Sequence, residues 1–152
     1  MSELDEWFND ISTHVKKPEL VYVVGRSGIG KKTYVNRVIN KYKHRCININ
    51  CLYDKDHSRL KKKTFISQLT HIVTNKNIEF YLTGLTDAVI IHNLHVINDK
   101  TFYDSILNLK NSVQFVSPVI CIINKDYVSE RFLAYITKGC QVFDFQKKDQ
   151  NE

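Results

Sequence analysis

The segment LVYVVGRSGIGKKTYVNRVINKY, residues 20–42, decides the fold, because an apolar run leads through a glycine-rich turn into a helical pattern. Inside it, GRSGIGKKT (residues 25–33) follows the phosphate-loop pattern G-x-x-x-x-G-K-[ST] until its eighth position, which is a second lysine. Glycines let the backbone curl so that N–H groups converge on phosphate oxygens, and the dipole of the following helix adds positive potential. An ordinary glycine turn is the alternative. The predicted nucleotide-binding residues are Gly25, Ser27, Gly28, Ile29, Gly30, Lys31, Lys32 and Thr33.

Lys32 occupies the position at which the pattern requires a serine or threonine hydroxyl to hold magnesium. Moving the frame by one residue, so that Thr33 becomes the metal ligand, would require glycines at positions 26 and 31, where arginine and lysine stand. The metal-binding hydroxyl is therefore absent, and a second cation takes its place. The Lys32 ammonium either lies at the vacated magnesium position, where it compensates phosphate charge, or points into solvent.

The acidic half of a magnesium site is expected at the end of a later buried strand, and DAVIIHNLH (residues 87–95) is the suitable segment. Its apolar run ends in His92 and Asn93, where an aspartate and a glutamate would be needed. A neutral imidazole is a poor ligand for Mg²⁺, which prefers carboxylate oxygens, and an amide cannot act as a base. We therefore predict that His92 and Asn93 are degenerate magnesium and base positions, that no catalytic residue is intact and that no metal is bound. A His92–His95 metal pair is the alternative.

Five apolar, β-branched runs alternate with segments of helical length, and no repeat or linker interrupts them. Such runs are typical of parallel strands that are covered on both faces. The alternation predicts one α/β domain, a three-layer sandwich with a five-stranded parallel sheet. The predicted strands are 20–24, 46–50, 88–92, 119–123 and 141–145, and the predicted helices are 31–43, 58–75, 99–111 and 128–138.

The N-terminal segment is amphipathic over residues 3–15, so we expect a helix that packs against the rim of the sheet. The expected organisation is an N-terminal amphipathic helix within 1–17, a nucleotide-binding domain at 18–146 and a polar tail at 147–152.

The chain of 152 residues has a formal net charge of +6, with basic clusters at 37–45 and 55–63. A solvated basic face and a surface that contacts a nucleic-acid backbone are both open interpretations. The four cysteines have no paired spacing, and neither a signal peptide nor an apolar run of membrane-spanning length is evident. We therefore expect an intracellular protein without a membrane partner, in the nucleus, the cytoplasm or a viral replication site.

In their order and spacing, these motifs resemble the nucleotide-binding domain of AAA+ P-loop ATPases, and within that superfamily the clamp loaders, above all the large subunit of replication factor C. The segment at 20–42 resembles their first strand, Walker A loop and helix, and AVIIHNLH resembles their magnesium-binding strand. SPVICIINKDY (residues 117–127) resembles the strand that ends in the polar sensor 1 residue, here Asn124. The resemblance covers residues 18–146 and implies an AAA+ core that binds ATP or ADP.

The resemblance also suggests partners, namely DNA and either a sliding clamp or other AAA+ subunits. The basic segment after the second strand corresponds to helices that track DNA in clamp loaders, and the DNA contacts that this implies are Arg59, Lys61, Lys62 and Lys63. Besides the missing magnesium ligands, two further features depart from the family pattern. Gly139 stands where most clamp-loader subunits carry an arginine that reaches the neighbouring ATP site, and the sequence stops about where the helical lid would begin.

We therefore expect a degenerate clamp-loader-like AAA+ domain, an accessory factor in DNA replication or repair. It would bind nucleotide weakly or not at all, independently of magnesium, and would not hydrolyse it efficiently. Two alternatives stay open. One is a residual ATPase whose acid and arginine come from a partner subunit, and the other is a protein interaction module that binds no nucleotide.

Overall fold

The computed structural model describes residues 2–42, 44–51, 59–75 and 87–145, and in the helix that begins at residue 59 it describes side chains from Thr64 onward. Two single-turn 3-10 helices, Leu94–Val96 and Lys125–Tyr127, follow the third and fourth strands. The strands are β1 (Leu20–Gly25), β2 (Cys46–Asn50), β3 (Ala88–His92), β4 (Val119–Asn124) and β5 (Gln141–Asp144). The helices are α1 (Glu3–Ser12), α2 (Lys31–Lys41), α3 (Arg59–Thr74), α4 (Lys100–Ser112) and α5 (Glu130–Ile136).

The five strands form one parallel sheet in the order β2-β3-β4-β1-β5. β4 is the central strand, and β1 lies between β4 and the edge strand β5, with Gly25 of β1 opposite Asn124 of β4. Every residue of β1 and β3 is buried, as expected for strands that helices cover on both faces. The predicted α/β sandwich with a five-stranded parallel sheet is confirmed. It has the architecture of a P-loop NTPase core.

One face of the sheet is covered by α1 and α2, and the other by α3, α4 and α5. On the first face, Leu4, Trp7, Phe8 and Ile11 of α1 join the same buried cluster as α2 and the sheet. The helix therefore contributes to the buried core on this face of the sheet, in addition to the expected packing of residues 3–15 against the rim. α1 also reaches that edge, since the Trp7 ring contacts the Phe143 ring of β5 at 6.0 Å between centroids.

Two helices are shorter than their sequence patterns suggested, one at its C-terminal end and one at its N-terminal end, and local chemistry explains both. α1 stops at Ser12 instead of residue 15, because His14 has a φ of 62° in the left-handed region, which a helix cannot continue through. α5 begins at Glu130 instead of residue 128, because the Ser129 hydroxyl accepts a hydrogen bond from the Phe132 N–H at 3.1 Å and caps the helix there. No helix in the described part of the chain is long and apolar enough to cross a membrane.

Candidate functional site

The glycine-rich loop joins the buried end of β1 to the start of α2, and its conformation depends on glycine at three positions. Gly28 and Gly30 have φ values of 78° and 89°, in the left-handed region that favours glycine. A Cβ at Gly25 would lie 2.8 Å from the backbone oxygen of Phe145. Gly30 is also the N-cap of α2 and carries no side chain that could cap the helix. The loop therefore presents helix N-terminal amides to whatever approaches the sheet from this end.

Lys31, the lysine of the motif, is buried inside this loop. Only 4% of the residue is exposed, and its Nζ donates a hydrogen bond to the backbone oxygen of Arg26 at 2.5 Å. Burial lowers the pKa of Lys31, an effect that the nearby Asp126 carboxylate opposes. The Lys31 ammonium is thus hydrogen-bonded to a backbone carbonyl of the loop itself.

Asn124, the predicted sensor 1 residue, ends β4 directly beside the loop, since it pairs with Gly25 in the parallel register. The 3-10 turn that follows it brings an acidic residue onto the loop. The Ser27 N–H donates to Oδ1 of Asp126 at 3.0 Å, and the Ser27 hydroxyl donates to Oδ2 at 2.7 Å. These two bonds lower the pKa of Asp126. Sequence reasoning missed Asp126. The only signal was its position, two residues after Asn124.

The carboxyl ends of β2 and β3 are joined by polar side chains at the positions where a magnesium site would be expected. His92 is 5% exposed, and its Nε2 lies 2.8 Å from Oδ1 of Asn48. Next to this pair, Nδ2 of Asn93 donates to Oδ1 of Asn50 at 3.0 Å. We call these four residues the amide ladder. Each named bond joins neutral groups, so the ladder presents no carboxylate to a cation.

The ladder and the loop face each other across the same edge of the sheet. The pKa of His92 is lowered by burial and, secondarily, by the positive charge of Lys32. Lys32 is exposed, yet it is close enough to act electrostatically on the end of β3. The structure therefore brings together the sequence-predicted residues of the loop, Lys32, His92 and Asn124.

His95 lies next to the loop, near Asp126 and Lys31. Its ring stacks on Tyr127 at 5.5 Å, and its pKa is lowered by burial, with Asp126 opposing and Lys31 adding to the shift. Its Nδ1 is buried and has no hydrogen-bond partner among the residues described. Within that same set, no group of three His, Cys, Asp or Glu side chains is placed to hold a metal ion.

The remaining predicted residues fall in two places. Arg59, Lys61, Lys62 and Lys63 lie in the first turns of α3, where the backbone is described, but their side chains fall outside the described residues. Gly139 has a φ of 75°, and a Cβ there would touch Cδ1 of Leu107 at 3.4 Å. This backbone conformation disfavours the arginine that most clamp-loader subunits carry at the corresponding position.

A cavity of about 660 Å³ opens beside the loop and extends toward β5. Its walls combine apolar side chains with charges of both signs, and they include Val24, Arg26, Lys125, Asp126, Leu133 and Val142. This volume is within the range of small-molecule sites. Asp126 lies at the boundary between the cavity and the loop, because it lines the first and binds Ser27 in the second.

Comparisons with known proteins identify the architecture. No protein-family model matches the sequence, and no curated protein is similar to it in sequence. Among solved structures, the chain is similar to RuvB of Thermotoga maritima, described as a Holliday junction branch migration motor, with a TM-score of 0.57 and 12% identity. Two variants of that protein give TM-scores of 0.57 and 0.55 at 12% and 13% identity.

Each match covers 95% of this chain and 43% of the RuvB chain, so this chain spans less than half the length of that protein. At such low identity the likeness establishes the fold alone. The chain therefore has the fold of a P-loop NTPase core.

Proposed function

We propose that this chain is an AAA+-type domain that binds nucleotide phosphates in the loop at 25–33 but does not hydrolyse them efficiently, and that it acts as an accessory factor in DNA replication or repair. In this role it works beside a partner such as a sliding clamp or another AAA+ subunit. The observation that carries the proposal is the pairing of two features at one edge of the sheet. A glycine loop encloses a buried lysine, and the amide ladder stands where magnesium-binding carboxylates would be required.

The loop supports nucleotide binding because its anion-binding groups are part of the backbone. Gly28 and Gly30 hold positive φ values, and the first turn of α2 points its amides at the site. Lys31 is within this cradle. The adjoining cavity of about 660 Å³ leaves room for the rest of a nucleotide.

The ladder supports the absence of efficient hydrolysis. His92 and Asn93 are engaged by Asn48 and Asn50, and none of the four side chains can act as a carboxylate ligand or as a carboxylate base. Lys32 acts electrostatically on His92, at the end of β3 where a complete site would hold magnesium. We infer that Lys32 compensates phosphate charge there and that nucleotide binding does not require magnesium.

The test measures binding of ATP and ADP to the purified chain by calorimetry, with magnesium and with EDTA, together with ATP turnover. We expect binding that EDTA changes by less than about twofold, and no turnover above background. Lys31→Ala should weaken binding at least about tenfold. Lys110→Ala is the matched control, since its Nζ also bonds a backbone oxygen, that of Gly139 at 3.1 Å, but just before the start of β5, at the opposite end of the strands from the loop. Rapid magnesium-dependent turnover would disprove the proposal.

DNA contact is supported by the net charge of +6 and by the basic first turns of α3. The triple variant Lys61→Glu, Lys62→Glu, Lys63→Glu should weaken binding to duplex and primer-template DNA irrespective of sequence, and should flatten the dependence of affinity on salt. The control carries the same charge change elsewhere, as Lys16→Glu, Lys17→Glu and Lys138→Glu, all at exposed positions. Equal losses in the two triple variants would mean that only net charge matters, and that α3 is not a DNA-binding surface.

A further inference from the structure

The loop is already occupied by an anion that belongs to the chain itself. Asp126 places one carboxylate oxygen 3.0 Å from the Ser27 backbone nitrogen and the other 2.7 Å from the Ser27 hydroxyl. A carboxylate that accepts from an N–H and an O–H of a glycine-rich loop uses donors of the kind that phosphate oxygens would use. Asp126 therefore occupies part of the predicted phosphate site.

The loop lysine is also engaged within the chain. Lys31 Nζ donates to the Arg26 oxygen at 2.5 Å, and the negative charge of Asp126 acts on the same ammonium. Two groups that would bind phosphate thus already have partners. A phosphate ligand must displace the Asp126 carboxylate from Ser27 and reorient the Lys31 ammonium away from the Arg26 oxygen.

We propose that Asp126 is a tethered competitor of phosphate: nucleotide enters the loop only when the Asp126 carboxylate leaves Ser27. This inference rests on the proposed phosphate-binding function and adds its regulation. Two states are required, one closed by Asp126 and one open to nucleotide. Any group that draws Asp126 away raises the affinity for nucleotide, because the apparent affinity scales with the fraction of molecules in the open state.

The segment that carries Asp126 connects the loop to the surface. The 3-10 turn Lys125–Tyr127 lies between β4 and α5, and Tyr127 is 65% exposed while its ring stacks on His95. Asp126 is also exposed, so a partner can reach it without disturbing the core. Displacement of Asp126 would therefore shift Tyr127 against His95, and a protein that binds Tyr127 could open the loop.

The binding test compares Asp126→Ala with Asp144→Ala, using pyrophosphate in EDTA, because pyrophosphate can occupy the loop without reaching into the cavity that Asp144 lines. Asp144 is a matched control: it lines the edge of the same cavity and pairs with Lys125 at 3.7 Å, so the charge change is the same. If Asp126 closes the loop in about nine molecules of ten, its removal raises affinity about tenfold. The control should change affinity less than about threefold, the general effect of one nearby charge. Equal effects in the two variants, or none in Asp126→Ala, would overturn the inference.

A second measurement requires no ligand and separates this inference from the proposed function. Hydrogen exchange of the Ser27 amide, followed by NMR, should be slow in the native chain and in Asp144→Ala, and faster in Asp126→Ala, since the carboxylate protects that N–H. Suppose that exchange of the Ser27 amide is slow and depends on Asp126, but that no variant binds phosphate. This result would confirm the Ser27–Asp126 contact and overturn the phosphate-binding function. Fast exchange in the native chain, with nucleotide binding intact, would overturn the tethered competitor alone.

Discussion

The glycine loop after β1 and the amide ladder after β3 lie at the same edge of one sheet, but they differ in what builds them. The loop depends on backbone geometry: positive φ at Gly28 and Gly30, and close contact at Gly25. The ladder depends on side chains, with His92 and Asn93 bound to Asn48 and Asn50. An anion site made from backbone amides persists as long as the glycines do. A cation site requires particular carboxylates, and it disappears when those side chains change.

Gly25→Val should have the largest effect, because it disrupts the backbone geometry on which the glycine loop depends. Its Cβ would lie 2.8 Å from the Phe145 oxygen, and its methyl groups would add further overlap. We expect a loss of about 3 kcal/mol in the free energy of unfolding, at the upper end of ordinary overpacking, and loss of nucleotide binding. Urea denaturation and calorimetry measure the two.

Gly139→Ala is the control for that variant. It also gives a glycine a side chain, but outside the loop and at a φ of 75°, and it should cost about 1 kcal/mol without changing nucleotide affinity. If Gly25→Val bound nucleotide as tightly as the native chain, the loop would not be a backbone-dependent site.

His92→Ala tests the ladder. The substitution leaves a cavity in a buried position and removes the partner of Asn48, so we expect about 2 kcal/mol of destabilisation by urea denaturation. Nucleotide affinity should stay within about twofold, because the ladder contributes no ligand to the phosphates. His71→Ala, on the exposed side of α3, should cost less than about 0.5 kcal/mol. A large loss of nucleotide affinity in His92→Ala would mean that the amide ladder contributes to nucleotide binding and is not independent of the loop.

The stability of the native chain should fall as the pH drops from about 6.5 toward 5. Burial lowers the pKa values of His92 and His95 in the folded state, and Lys32 lowers that of His92 further. The unfolded chain therefore takes up protons before the folded chain does. The two buried, neutral histidines contribute fully to stability when the pH is above their pKa in the unfolded chain. This contribution is lost as the pH falls through their lower pKa in the folded chain. Thermal melts in this range should show the decline, and His92→Gln should reduce it. An unchanged decline in this variant would exclude His92 as a source.

Lys32→Thr should have the smallest effect, and it sharpens the comparison most. It restores the hydroxyl of the loop pattern without adding a carboxylate to β3. In EDTA, ATP affinity should fall about threefold, since one exposed charge is lost, and magnesium should not restore turnover. If this single change produced magnesium-dependent hydrolysis, the amide ladder would not be what prevents the reaction.

The sequence was sufficient for the elements and the fold. Continuous β-branched runs such as LVYVV and AVIIH predict buried parallel strands, and each strand boundary falls within one residue of its prediction. The loop was predictable because a short motif encodes it locally. The ends of the helices were less predictable, since they shift with a single hydrogen bond to a side chain, as at Ser129, or with a single left-handed residue, as at His14.

The contacts of the site were not predictable, because they depend on strand order. Ser27 and Asp126 are 99 positions apart and meet only because β4 lies beside β1. His92 reaches Asn48 because β2 is the neighbour of β3. The identities of His92, Asn93 and Lys32 could be read directly. Their partners could not, and the roles of all the site residues remain predictions.

Trp7 gives the molecule an optical probe, because it is the chain's single tryptophan and is 2% exposed against Phe143. Phe145 is two residues after Phe143. Its backbone oxygen lies against Gly25, and its N–H donates a hydrogen bond to the Val24 oxygen at 2.7 Å. The intrinsic fluorescence of Trp7 therefore reports on β5, the strand that borders the loop, and no added label is needed. A ligand that shifts this edge of the sheet will be visible as a change in the colour or intensity of that fluorescence.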